Sequence, residues 1–176
     1  MSAALVQNIQ LLRQGITLLG EITDNVYSTS GPDHETSYRV GPHLRHCIDA
    51  YACLLDGLED RSIDYDGRGR DPRLELDRSA GREMLERLVE GLGRLAIVDP
   101  ETELSVRVDT PPGAVGPEAT SRSTLHRELQ FLVGHTVHHF ALIAMILRQN
   151  GIDPGREFGV APSTLAHWEC EETLKA

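Results

Sequence analysis

Residues 124–150 read TLHRELQFLVGHTVHHFALIAMILRQN, and their apolar spacing predicts one long helix. Leu132, His135, His139, Leu142 and Ile146 follow one another at alternating three- and four-residue steps. That rhythm puts both imidazoles on one face, ~6 Å apart at Cβ. The face also carries leucine and isoleucine, so it points into a core. A polar ring buried there without a partner costs ~1–3 kcal/mol. Two such rings at ligand spacing make a metal ion a natural shared partner. Ser123 or Thr124 caps the start of this helix, and Asn150 followed by Gly151 supplies its stop.

A second histidine cluster lies upstream in GPHLRHCIDAY, residues 41–51. Pro42 fits the first turn of a helix, where its missing N–H costs nothing. The apolar stripe running from His46 through Ala50, Cys53 or Leu54, and Gly57 predicts that His46 faces inward. Three neutral imidazoles from two facing helices would leave coordination positions open, whereas structural zinc sites are closed by four protein ligands. His43 and His138 fall on neighbouring stripes, as satisfied or solvent-facing rings. His34, His126 and His167 lie in or near loops and helix starts and receive no role. Cys47 abuts His46, but a helical cysteine of this kind reads first as a small core filler.

Composition narrows the function classes. A chain of 176 residues reads as one domain, with a net charge of −10 and a pI near 5.2. That balance argues against a sequence-independent grip on nucleic acid or on an anionic membrane. The longest apolar run, Phe140–Leu147, is far short of a membrane span. The opening MSAALVQNIQLLRQ has no basic region and no small-residue cleavage site, which leads to the expectation of a cytoplasmic protein. Three cysteines without a CxxC pair fit no disulfide framework.

Outward from the histidine helix, the rest of the chain reads as more helices. Leu5, Ile9, Leu12, Ile16, Leu19, Ile22 and Val26 form a core seam, with Val6, Leu11 and Leu18 as a second apolar set beside it. A polar loop extends to about Gly41, and a second helix covers 41–60. Residues 61–78 are charged, carry two glycines and a proline, and read as a long loop. A third helix is predicted over 79–97, with Asp77 or Ser79 as cap. Leu104, Val106 and Val108 then alternate as a short strand or hairpin until ProProGly at 111–113 breaks it. The tail from Ile152 is mostly loop, with a short helix from Ser163. Four amphipathic helices in one domain, 1–176, predict an all-α four-helix bundle. The 61–78 loop is long enough for either an up-down or a crossover arrangement.

The segments GPHLRHCIDAY, DYDGRGRDPRLELDR and STLHRELQFLVGHTVHHFALIAMIL followed by FGVAPSTL resemble the DinB-like family. This superfamily of four-helix-bundle metalloproteins includes the YfiT proteins, mycothiol- and bacillithiol-dependent enzymes, and the N-terminal domain of ergothioneine sulfoxide synthases. The resemblance extends over nearly the whole chain. It implies a bundle in up-down-down-up order, which selects the crossover. It also implies a nickel or zinc ion held by one histidine from the second helix and by an HxxxH pair. Here these match His46 (rather than His43), His135 and His139. Activities of relatives imply thiol chemistry, in which a low-molecular-weight thiol is deprotonated on the metal and transferred, or its adduct is isomerised. Homodimers are implied as well, and the second apolar set of the first helix offers a surface for one.

The expected function is therefore that of a metal-dependent thiol transferase or hydrolase acting on a small molecule. A bound divalent ion would bring the pKa of water or thiol near neutrality. No catalytic side chain is assigned. His43, Asp49 and Glu128 are candidates for orienting the ligands. Asp49 reads equally as part of a solvated face, and Glu128 as a surface partner of Arg127 or of an arginine in 61–78. Arg45 is a candidate contact for an anionic substrate. The mixed charges of 61–78 read as an internally paired loop, with a binding loop over the bundle mouth as the alternative. The rival to an enzyme is a non-catalytic metal-binding or structural bundle acting through protein partners, closed by a fourth ligand such as Cys47 or His43. Protons compete for imidazole, so metal affinity is expected to fall below about pH 6.

Overall fold

The computed structural model describes residues 1–28, 39–108, 111 and 119–175. The polar loop expected over 29–38 and the chain break at Pro112 and Gly113 lie outside the described residues. The described residues are mostly helical, with one small three-stranded sheet. The helices are α1 (Ala3–Glu21), α2 (Asp24–Ser28), α3 (Val40–Gly57), α4 (Arg73–Leu76), α5 (Arg78–Arg94), α6 (Leu125–Gln149) and α7 (Pro162–Lys175). The strands are β1 (Ser62–Asp64), β2 (Glu103–Arg107) and β3 (Ser121–Thr124).

Helix ends follow local chemistry. The Ser2 hydroxyl accepts from Leu5 N–H at the start of α1, and Asp77 caps α5 through Ser79 and Ala80 N–H. Thr124 accepts from Arg127 N–H at the start of α6. Helix α1 is shorter than its apolar seam suggests. It stops at Glu21, and the Ile22 N–H closes the last turn on the Leu18 carbonyl. The short α2 then continues the pattern and buries Tyr27, whose hydroxyl donates to the Leu74 carbonyl.

Helix α1 packs against both α5 and α6, and α3 does the same. The core between them is built from Leu5, Leu12 and Leu19 of α1, Leu44, Ile48 and Leu54 of α3, Leu85 and Leu92 of α5, and Leu132, Phe140 and Ile143 of α6. One polar network runs through it. The Asn8 amide donates to the Ala4 and Leu129 carbonyls, both at 2.8 Å. The Tyr51 hydroxyl donates to Asn8 Oδ1 at 2.6 Å and accepts from Thr136 Oγ1 at 3.0 Å. Asn8, Tyr51 and Thr136 are all fully buried, so α1, α3 and α6 are tied together at one level.

Residues 61–78 are not a plain loop. Ser62–Asp64 pair in parallel with Ser105–Arg107, and β2 pairs antiparallel with β3. Ile63 and Tyr65 are buried in a stretch otherwise dominated by charge and glycine. Their alternation is too short to stand out in sequence, and it is tertiary pairing that makes the strand. Helix α4 then lies so close to α3 that a Cβ at Gly41 would run into the Glu75 carbonyl. The alternation of Leu104 and Val106 gives the inward face of β2, with Val108 exposed beyond its end.

The tail differs from expectation in extent. Phe158 stacks on Phe140 with ring centroids 4.9 Å apart. Gly159, at φ +70°, brings its backbone against that of Phe140 where a Cβ would collide. Leu11 and Leu18, read from sequence as a partly exposed set, are buried. They line grooves shared with Phe158, Val160 and Leu165 of the tail. Of the described helices, α6 is long and apolar enough to cross a membrane by length and composition. It serves here as a core helix between α1 and α3.

Candidate metal centre

Helices α3 and α6 pack directly on each other, and that contact brings the two histidine segments together. The ring of His46 stands 4.8 Å from that of His135 and 4.6 Å from that of His139, and the latter two are 4.8 Å apart, between centroids. Three rings thus form a nearly equilateral triangle. One nitrogen from each lies within 4.8 Å of the others, and no cysteine or carboxylate joins the group among the described residues. Nitrogens on one ion at ~2.1 Å stand ~3–4 Å apart. The spacing is slightly open and within reach of side-chain rotation.

Burial and mutual repulsion set the charge state. Desolvation, then His135, Arg68, Arg45 and His43, push the His46 pKa down to about 4. Desolvation and the other histidines push His139 down to about 3. His135 is lowered as well, by desolvation first and then by His138 and Arg68. All three rings are therefore neutral at pH 7, the form that ligates metal. Nδ1 of His135 is also buried without a hydrogen-bond partner. An unsatisfied ring nitrogen beside two more neutral imidazoles fits a borderline divalent cation such as zinc or nickel.

These lowered values move the pH expectation. The unfolded chain takes protons on histidine near 6.5, and the folded chain resists until about 3–4. Their contribution to the stability of the metal-free fold is thus fully present above pH 6.5 and is lost as pH falls towards 3–4. Proton competition with metal moves below pH 6 by the same shift. His139→Gln removes one of these titrations. Urea midpoints of metal-free protein at pH 7 and pH 4.5 should show the wild type losing more stability than this variant; parallel losses would contradict the assignment.

The residues around the triangle take definite places. His43 Nδ1 is 3.1 Å from His139 Nδ1, so a hydrogen bond between them fixes the orientation of that ring. Glu128 is buried, accepting from Tyr65 and Ser123 hydroxyls rather than from a surface arginine. It supports the site through Tyr65, which lines the cavity. Asp49 pairs with Arg45 instead of a ligand histidine. Arg45 also binds Glu75 at 2.7 Å, which removes it as an anion contact. Cys47 is wholly buried, and burial pushes its thiol pKa far up. His138 is exposed beside His139.

A cavity of about 240 Å³ opens onto the triangle, walled by Ala50, Tyr65, Asp66, Arg68, Val108 and Phe131 together with the three histidines. Tyr65, Asp66 and Arg68 come from the segment after β1, so the binding-loop alternative describes their position better than a self-contained loop does. Sequence reading missed these wall residues. Phe131 carried a signal, one helical turn before His135 with ring centroids 5.7 Å apart. A larger groove of about 800 Å³ between α1 and the tail contains none of the three histidines.

No protein-family model matches the chain, and no solved structure matches it. Over 108 residues it is 31% identical to FK506-binding protein 5 of Rhizopus delemar, a match covering 60% of this chain and 27% of that protein. The chain thus spans about a quarter of the length of that curated relative.

Proposed function

We propose that this protein is a DinB-like four-helix bundle of up-down-down-up order. In it, His46, His135 and His139 hold a divalent ion, nickel or zinc, and a small molecule reacts in the adjoining cavity. The observation that carries this reading is the meeting of three ligand nitrogens within 4.8 Å without a fourth protein ligand, among the described residues. The ion would supply Lewis acidity, lowering the pKa of a water or thiol beside it. The chain's own part is to present three neutral imidazoles, to steady one of them through His43, and to shape the space that a substrate enters.

The class that fits is a thiol transferase or hydrolase, as the resemblance implies. A purely structural site would need Cys47 or His43 as fourth ligand. Cys47 is buried in the core cluster, and His43 meets the ring of His139 instead of joining the ligand group. Metal analysis of tag-free protein tests the reading: one nickel or zinc per chain is expected, and an absence of bound metal after loading would overturn it.

Assembly follows a different line. Of the three residues that favoured a homodimer, Leu11 and Leu18 are buried within the chain while Val6 is exposed, so the homodimer rests on Val6 and on the resemblance. Light scattering at micromolar concentration decides it: a mass near twice 19.4 kDa supports the homodimer, and one near 19.4 kDa excludes it.

A further inference from the structure

Arg68 is a cation whose surroundings do not account for it. It lines the cavity beside His46, His135 and His139. Among the described residues its one hydrogen bond runs from a terminal guanidinium nitrogen to the Tyr65 carbonyl at 2.7 Å. Its Nε is buried and has no partner. Among the described residues no carboxylate lies within ion-pair distance of it. The acid on the same wall, Asp66, faces Arg107 at 3.7 Å. Asp49 is engaged by Arg45, and Glu128 by two hydroxyls.

The position matters as much as the missing partner. A guanidinium presents a planar fork of donors that suits carboxylate, phosphate or sulfonate oxygens. The terminal nitrogens of the fork, not the enclosed Nε, are the donors that a ligand in the cavity can reach. Arg68 also acts electrostatically on both His46 and His135, so it lies close to the ligand triangle. Held between Gly67 and Gly69, and fixed through Tyr65 to the strand before it, the side chain is placed at the wall. The cavity of about 240 Å³ is small enough that a ligand at the histidines would come near it.

We propose that Arg68 is a specificity residue that binds an anionic group of the substrate, carried a few bonds away from the atom presented to the histidines. This inference rests on the metal-site reading above. The substrate class it names is a small molecule with a metal-binding head and a carboxylate or similar oxyanion at short reach.

The test uses cobalt-loaded protein and two thiols of one length, 3-mercaptopropionate and 3-mercapto-1-propanol, followed by cobalt absorption. Wild type should bind the carboxylate-bearing thiol at least tenfold more tightly. Arg68→Gln should retain full cobalt stoichiometry and its helical circular dichroism while losing that preference. Arg68→Lys should keep part of it, which separates charge from a merely structural role. Equal affinities in the wild type, or a preference unchanged in Arg68→Gln, would overturn the proposal with the metal site intact. Failure of wild type to take up cobalt at all would instead overturn the metal-site reading, and the inference built on it.

Discussion

Replacing His135 by alanine is expected to abolish stoichiometric metal while leaving the helical core assembled. The ring is one of three ligands, and two imidazoles cannot hold a divalent ion with comparable affinity in competition with water. The fold should tolerate the change because His135 stands at the cavity rim, only part-buried, while Leu132, Ile143 and Ile146 keep α6 anchored. Metal content by mass spectrometry, read beside the thermal midpoint of the metal-free forms, checks both halves. Retention of one metal per chain would place the ligand set elsewhere.

The largest stability effect is expected at Asn8. Its amide satisfies two buried carbonyl groups, and its oxygen receives the Tyr51 hydroxyl. In Asn8→Ala, the Leu129 carbonyl and the Tyr51 hydroxyl each lose a partner in a place water cannot reach. The Tyr51 donor is orphaned, at ~1–3 kcal/mol, while the Leu129 carbonyl keeps its intrahelical partner and forfeits a bond worth ~1 kcal/mol, so the loss amounts to about 3 kcal/mol. For a chain of this length that lowers the thermal midpoint by roughly 10 °C. A fall of less than about 2 °C would mean that the network contributes little. Metal stoichiometry should survive, because Asn8 does not line the histidine cavity.

How much could be read from sequence depended on the range of the signal. The helix carrying HxxxH was legible because twenty-five residues of regular spacing outvote any local exception. His46 was legible through its own stripe, with the resemblance selecting it over His43. The network at Asn8 was not, since an asparagine in an apolar seam announces no partner until α3 and α6 close on it. Nor was β1 legible. Three residues carry no period, and what holds them is a strand some forty positions later. The walls of the cavity were lost for the same reason, because Tyr65, Asp66 and Arg68 owe their place to that pairing. Of the two readings of Glu128, the surface partner of an arginine fails, since the residue is buried under hydroxyl donors.

The tail that packs across α1 and α6 changes what kind of object this chain is. Phe158 and Gly159 clasp Phe140, and the segment behind them shares grooves with Leu11 and Leu18. In effect the end of the chain is buttoned onto its longest helix at two consecutive residues. The hold is a strap only a few residues wide. A bulky residue at 159 would undo that clasp, because the backbone of Phe140 and Ala141 stands where its side chain would go.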